Sequence, residues 1–419
     1  MLEPGTQVRP PFESNAMTEG FSPGKRLAPV ELVVLQGTSF CNLNCKYCDL
    51  SVESRQTKSA MEPKLIERFF TELFNSGLCA PEVTVLWHSG EPLTLPPAYY
   101  EEAIGLISGL GDRLASHNVS VKFGIQTNGV LIDDEWCRFF KRHEERLSVG
   151  VSCDGPSDLH DLFRLNWNER ATHGRTIHGM DLLHKNGIKF KVIAVVTRHT
   201  LRQPGEFYDF FFCRREQLSG FHFNILAEGN SSDPNLAYSA DDRSAYYLFY
   251  RRILELNREA GGEFEVLNFS QAVARIVSSK GAASSKFFEE ASAPLKALNL
   301  DVRGNVTTFY AGLSIETLPD LYGDGKGLSL GNIFEASFED MIRSEKLRRI
   351  MQDFMLSARA CKASCEYFAV CSGGFDILKK QKLGTFEAGE TVECVIHVKA
   401  LVDAVLDDID DHLELQASN

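Results

Sequence analysis

Short apolar runs recur along the first half of the chain, separated by polar segments with helical periodicity. From Leu32 onward these runs are rich in β-branched residues and bounded by turn residues, a pattern typical of buried strands. Six strands are predicted, over residues 32–35, 83–87, 119–125, 147–152, 189–196 and 221–225. Between them, Pro63 suits the first turn of one helix and Gly187 the end of another. This alternation predicts an α/β fold, a partial (β/α)6 TIM-like barrel whose active site lies at the C-terminal ends of parallel strands.

The second half of the chain departs from this alternation. An aromatic-rich helix is predicted over residues 239–260 and a final helix over 396–415, with a connecting segment over 264–295. Clustered cysteines and a glycine-rich stretch predict a small, loop-rich unit that is held together by metal. The predicted organisation is a flexible arm (1–28), a barrel (29–235), a helical connector (236–297) and a cysteine-rich unit (298–419).

Composition and charge narrow the class of protein. A chain of 419 residues with 43% hydrophobic content can bury a large core. Its net charge of -13 and pI of 5.4 oppose binding to the phosphate backbone of nucleic acids. The sequence shows neither an apolar run of about 18 residues nor the apolar stretch of a signal peptide. We therefore expect a cytoplasmic protein with no nucleic-acid or membrane partner.

The distribution of the 11 cysteines indicates metal or redox chemistry, because disulfides rarely persist in a reducing compartment. Three cysteines lie within residues 41–48 and four within 361–394. The others stand alone and are predicted to be buried and chemically inert, namely Cys79, Cys137, Cys153 and Cys213.

The first cysteine cluster directly follows the first predicted strand. Cys41, Cys45 and Cys48 form a C-x3-C-x2-C loop. A four-iron four-sulfur cluster normally has four cysteine ligands, so a loop of three leaves one iron open to another chelator. The alternative is zinc, but a structural zinc site usually takes four ligands, and no fourth follows here. The loop therefore predicts a catalytic iron–sulfur cluster.

Glycine-containing polar motifs follow the next three predicted strands. They are Ser-Gly-Glu-Pro at 89–92, Gln-Thr-Asn-Gly at 126–129 and Ser-Cys-Asp-Gly-Pro at 152–156. Each alone matches ordinary turn chemistry. Their succession at neighbouring strand ends favours a common binding site.

The second cysteine cluster consists of Cys361, Cys365, Cys371 and Cys394, with Ser-Gly-Gly following Cys371. Four thiols can hold either a four-iron cluster or a zinc ion. Both metals remain possible from the residues alone.

Together these motifs resemble radical S-adenosylmethionine (SAM) enzymes that carry a C-terminal SPASM extension. The resemblance spans about residues 31 to 400, and its particular strings are those of the cyclophane-forming peptide maturases. These strings include CNLNCKYC at 41–48, LWHSGEPL at 86–93, QTNG at 126–129, CEYFAVCSGG at 365–374 and GTFE at 384–387. The resemblance implies that SAM completes the catalytic cluster and contacts Tyr47, Gly90, Glu91, Ser152 and Arg164.

The chain departs from the full SPASM pattern, which implies two auxiliary clusters. Phe309 and Phe375 stand where that pattern has cysteine, and no cysteine leads into Gly304. The resemblance therefore implies one auxiliary four-iron cluster, held by Cys361, Cys365, Cys371 and Cys394.

The resemblance also implies the chemistry. A deoxyadenosyl radical from SAM would take a β-hydrogen from a ribosomally made precursor peptide, and the carbon radical would add to an aromatic ring. An electron would then pass to the auxiliary cluster and a proton to a base, for which Glu228, Tyr310 and Asp376 are candidates. An external reductant such as flavodoxin or ferredoxin is implied. Sulfatase-maturing enzymes carry an aspartate where Tyr310 stands, so their mechanism is not supported.

Other functions remain open at this point. The same scaffold could form a thioether, or epimerise or oxidise a residue. A non-enzymatic iron–sulfur electron carrier is also possible, although a carrier has no need of SAM-contact motifs. The precursor would bind the barrel, the second unit or a partner protein, and strand addition to a sheet edge is one common route.

Overall fold

A mixed sheet of nine strands organises the chain. The computed structural model describes residues 29–115, 119–226, 238–279, 295–308 and 318–417. The strands are β1 (Val30–Leu35), β2 (Cys79–Trp87), β3 (Ser120–Thr127), β4 (Leu147–Ser152), β5 (Phe190–Val196), β6 (Leu218–Ile225), β7 (Ala297–Leu300), β8 (Asn305–Thr308) and β9 (Ser329–Asn332). Their order in the sheet is β6-β5-β4-β3-β2-β1-β7-β8-β9.

The six predicted strands are all present and all pair in parallel, β1 through β6, each with the next. Helices connect consecutive strands, so the expected partial (β/α)6 barrel is confirmed. Parallel strands require such crossovers, and they bring the C-terminal strand ends to one edge of the sheet. The loops that follow β1 to β5 therefore meet at that edge.

Local sequence explains where the helices begin and end. Pro63 starts its helix and Leu65, Ile66 and Phe69 are buried on one face. Gly187, with φ +65°, follows the end of another as predicted. The α-helices are Val52–Gln56, Pro63–Asn75, Pro97–Leu114, Asp134–Arg142, Ser157–His160, His173–Lys185, Pro204–Phe212, Arg243–Glu259, Leu267–Ser279, Phe338–Ile342, Glu345–Ser364, Phe368–Cys371, Asp376–Leu383 and Ala400–Ala417.

Aromatic side chains fill the space between the sheet and its helices. Trp87 on β2 stacks on Phe123 of β3 with ring centroids 5.7 Å apart, and Tyr100 meets Trp87 edge-on at 5.1 Å. All three rings are fully buried. Rigid packing beneath the strand ends fixes the positions from which the site loops depart.

The cysteine-rich part of the chain continues the same sheet. Strand β7 pairs in parallel with β1, and β8 and β9 follow in antiparallel order. The helix predicted over 239–260 is Arg243–Glu259, and the final helix is preceded by a π-helix, Cys394–Lys399. None of the helices in the described ranges is long and apolar enough to span a membrane.

The prediction that the four isolated cysteines are buried is wrong for one of them. Cys79, Cys137 and Cys153 are buried, whereas Cys213 is exposed. Cys213 caps the C-terminal end of helix Pro204–Phe212 and so lies beyond the face that packs on the sheet.

Candidate functional site

A cavity of about 600 Å³ lies at the C-terminal ends of the parallel strands. This volume lies within the usual range for small-molecule sites. Residues from the loops after β1, β2, β3 and β4 all line it. They include every residue of the first cysteine cluster and every predicted SAM contact: Cys41, Cys45, Cys48, Tyr47, Gly90, Glu91, Ser152 and Arg164.

Backbone contacts hold the first cysteine loop against the segment after β4. The Asn44 N–H donates to the Leu165 carbonyl at 2.7 Å, and the Lys46 N–H donates to the Phe163 carbonyl at 2.9 Å. The Trp167 indole N–H donates to the Cys41 carbonyl at 2.9 Å. These hydrogen bonds within the protein fix the loop on the barrel.

Burial raises the pKa values of all three thiols of this loop. Burial raises the pKa of Cys45 to about 11. Burial also raises the pKa of Cys41, with a contribution from the nearby Glu91 carboxylate. Thiols in such surroundings are neutral near pH 7, so a metal centre must displace their protons to bind. Within the described ranges, no three Cys, His, Asp or Glu side chains converge at single-ion spacing.

The turn after β2 requires glycine. Gly90 has φ +73°, and a Cβ there would lie 2.4 Å from the Thr38 carbonyl oxygen. The adjacent Glu91 N–H donates to the Phe40 carbonyl at 2.8 Å. Glycine thus permits the close approach that joins this turn to the cysteine loop.

Glu91 joins the loops that follow β2 and β3. Its buried carboxylate accepts hydrogen bonds from the Thr127 hydroxyl at 2.7 Å, the Asn128 N–H at 2.8 Å and the Leu93 N–H at 2.9 Å. Burial raises its pKa to about 7, against the lowering effect of these donors. The side chain therefore organises the cavity wall in addition to lining it.

Asp154 positions two of the predicted SAM contacts, and the sequence did not single it out for this role. Its carboxylate accepts from the Arg164 Nε–H at 2.9 Å and from the Tyr47 hydroxyl. The other oxygen accepts from the Val195 N–H at 2.9 Å. The Arg164 guanidinium also lies over the Tyr47 ring, 5.4 Å from its centroid. The available signal was a lone aspartate directly after β4.

Ser152, at the end of β4, is held by its neighbour on β3. The Gln126 amide donates to the Ser152 hydroxyl at 3.0 Å. Gln126 lies across Gly150, where a Cβ would be 2.1 Å from the amide oxygen. Gly150 thus makes room for the contact.

The second cysteine cluster lines a separate, small cavity. Cys361, Cys365, Cys371 and Cys394 all face it, together with Gly373, Gly374 and Lys399. The turn after Cys371 passes through left-handed residues, with φ +62° at Ser372 and +93° at Gly373. Four thiols and a largely apolar lining fit a buried cluster with a complete set of cysteine ligands.

Only one of the three predicted base candidates, Asp376, lies within the described residues. Glu228 and Tyr310 lie outside the described residues. Asp376 is buried at the start of helix Asp376–Leu383 and is not among the residues that line the cavity. His397, which the sequence interpretation missed, does line it, and burial lowers its pKa to about 4. The sequence feature that could have indicated His397 is its position three residues after Cys394.

Comparison with known proteins agrees with this architecture. The Radical SAM superfamily model matches residues 35–211. An uncharacterized protein of Synechocystis sp. is 30% identical over 92% of this chain and 94% of its own length. A serine-type anaerobic sulfatase-maturating enzyme of Bacteroides thetaiotaomicron is 27% identical over 82% of each chain.

Solved structures share the fold. The structure of native anSMEcpe with bound AdoMet has a TM-score of 0.71 at 19% identity, covering 93% of this chain and 100% of that one. Streptococcus suis SuiB bound to the precursor peptide SuiA has a TM-score of 0.58 at 19% identity, covering 87% and 76%.

The cysteine loop, the parallel strands and the superfamily match show that residues 35–211 form a radical SAM domain. The chain is an enzyme related to the sulfatase-maturating enzymes, and it shares its fold with anSMEcpe and SuiB. Its cofactors are those of the superfamily, SAM and a four-iron four-sulfur cluster.

Proposed function

We propose that this enzyme modifies a ribosomally made precursor peptide and joins an aromatic ring carbon to the β-carbon of a nearby residue. The observation that carries the radical chemistry is the main cavity, where three thiols of one loop face the predicted SAM contacts. The peptide substrate is supported by the relatives, which include sulfatase-maturating enzymes and a structure with a bound precursor peptide.

In this proposal Cys41, Cys45 and Cys48 hold the catalytic cluster. When bound, that cluster and SAM supply a deoxyadenosyl radical that removes a hydrogen atom from the substrate. Asp154 keeps Tyr47 and Arg164 at the cavity wall, and Glu91 fixes the two adjacent loops. The walls exclude water and orient the peptide.

The second cysteine cluster holds one auxiliary four-iron cluster in this proposal. A crosslink breaks two C–H bonds and forms one C–C bond. One hydrogen atom leaves in the first step, and an electron and a proton leave after ring addition. Cys361, Cys365, Cys371 and Cys394 would hold this cluster, which would supply an electron acceptor, and an external donor such as flavodoxin or ferredoxin would supply the electron for the catalytic site.

The specific crosslink is supported by the sequence motifs that resemble those of the cyclophane-forming peptide maturases. It is also supported by position 310, where this chain has tyrosine and the sulfatase-maturing enzymes have aspartate. The second candidate is oxidation of a serine or cysteine side chain. Its supporting observation is the similarity to the sulfatase-maturating enzyme over 82% of both chains.

Coexpression with the cognate precursor separates the two. The crosslink and the oxidation of serine to an aldehyde both remove about two hydrogens per event, so the mass alone does not separate them. Conversion of a cysteine to an aldehyde also replaces sulfur by oxygen, so its mass change is larger. Carbon NMR of the product should show a quaternary aromatic carbon joined to a substituted β-carbon. A new carbonyl carbon would instead favour side-chain oxidation, and a carbon–sulfur link or an exchanged α-hydrogen would also overturn the crosslink.

A further inference from the structure

A buried lysine lies against the second cysteine cluster. Lys379, on helix Asp376–Leu383, is fully buried, with 0% of its surface exposed. Its Nζ lies 2.9 Å from Cys361 Sγ and 2.8 Å from the Ser357 hydroxyl oxygen. Lysine is almost never fully buried unless it has a partner. Here the partners are the Cys361 sulfur and the hydroxyl and carbonyl oxygens of Ser357, so the position calls for a reason other than an ion pair.

The contact crosses between two helices. Ser357 and Cys361 lie one turn apart on helix Glu345–Ser364, and Lys379 reaches both from its own helix. Ser357 is itself fully buried. The contact with the Ser357 hydroxyl holds the lysine nitrogen near the Cys361 sulfur, because Ser357 lies one helical turn from Cys361.

Positive charge is concentrated around the four thiols. Lys379 acts electrostatically on Cys394, and Arg275 acts on Cys371. Lys399 lines the same small cavity. Of the nearby acidic groups, Glu393 pairs with Lys382, and Glu390 pairs with Lys399 and so partly neutralises that cation.

We infer that Lys379 raises the reduction potential of the auxiliary cluster by donating a hydrogen bond to its Cys361 ligand. The inference rests on the auxiliary iron–sulfur site in the proposed function. Reduction adds a negative charge to a cluster that is already anionic, and a nearby cation and N–H donor stabilise that added charge. Lys379 is thus a positioning residue that makes the site a better electron acceptor for the oxidative half of the reaction.

The test is a potentiometric titration followed by electron paramagnetic resonance, on full-length protein carrying Cys45→Ala so that the auxiliary cluster is observed. Lys379→Met should move the midpoint to a more negative potential and lower the reduced fraction at a fixed applied potential. Lys379→Arg should keep the midpoint close to that of the parent. Lys380→Met is the matched control, because Lys380 is on the same helix but donates to the Gly384 carbonyl.

An unchanged midpoint in Lys379→Met with full iron content would overturn the inference. If Lys379→Met loses the auxiliary cluster while Lys380→Met retains it, the inference is also overturned. Lys379 would then have a structural role at this site. Absence of an iron–sulfur cluster from the parent protein is a different result, because it would refute the auxiliary site of the proposed function itself.

Discussion

At the residue scale, the site depends on side chains that line the cavity and also hold neighbouring groups in place. Glu91 lines the cavity while it accepts one hydrogen bond from its own turn, at Leu93, and two from the end of β3, at Thr127 and Asn128. Asp154 holds both an aromatic ring and a guanidinium. Substitution of such residues changes the shape of the cavity and its charge together, so the cysteine thiols give cleaner tests.

Cys45→Ala should abolish reductive cleavage of SAM, because two remaining thiols cannot hold the catalytic cluster. The production of 5'-deoxyadenosine by anaerobically reconstituted, reduced protein measures this. Cys213→Ala is the matched control, since Cys213 is an exposed cysteine outside both clusters. Equal production by both variants would disprove the assignment of Cys45.

His160 should make folding sensitive to acid. Its Nδ1 accepts from the Asp154 N–H at 3.4 Å, and its Nε2 lies 3.2 Å from the Thr172 hydroxyl. Burial lowers the pKa of His160 from 6.5 to about 4. Between these values the unfolded chain binds a proton that the folded chain does not, so the free energy of unfolding falls as the pH falls through this window.

Urea unfolding under anaerobic conditions between pH 7.0 and 5.5 tests this on His160→Asn. Its loss of stability on acidification should be smaller than that of the parent, by up to about 1.4 kcal/mol per pH unit for one proton. His184→Asn, at an exposed position, should keep the parent slope. An identical slope in all three proteins would contradict the prediction.

At the scale of elements, the final helix fixes the second cysteine cluster to the barrel. The π-helix that begins at Cys394 continues directly into helix Ala400–Ala417. That helix packs on helix Arg243–Glu259, and its Ala404 and Val405 are buried. Polar pairs flank the packing, including Arg251 with Asp411.

Apolar packing should dominate this contact. Val405→Asp places an unpaired carboxylate in a buried position and should lower the free energy of unfolding by at least about 3 kcal/mol. Arg251→Ala removes only a partly exposed ion pair and should cost about 1 kcal/mol or less. Urea denaturation measures both. A larger loss from Arg251→Ala would show that the ion pairs hold the helix.

At the scale of the whole molecule, the two cysteine clusters line two separate cavities, and the strands form one continuous sheet. The ends of the parallel strands, residues of β7 and β8, and His397 line the main cavity, whereas segments after β9 line the small one. Separate cavities mean that each site can be emptied without removing the other.

The parent protein should therefore contain roughly eight irons per chain, from two four-iron clusters. Cys371→Ala should lose about half of this iron and still cleave SAM when reduced. Metal analysis and 5'-deoxyadenosine production test both statements. Stoichiometric zinc with about four irons would refute the auxiliary cluster, and about twelve irons would refute the single auxiliary site.

The sequence by itself determined the six parallel strands, the cysteine loops and the motifs at the strand ends, because each depends on local periodicity and close spacing. The predicted strands were recovered, and Cys41, Gly90 and Ser152 line one cavity as expected. Only the tertiary structure decided the partners of these residues. Asp154, His397 and Lys379 gain their significance from contacts with segments distant in sequence, and the exposure of Cys213 depends on which helix face packs on the sheet. Such contacts arise from packing, which local patterns do not encode.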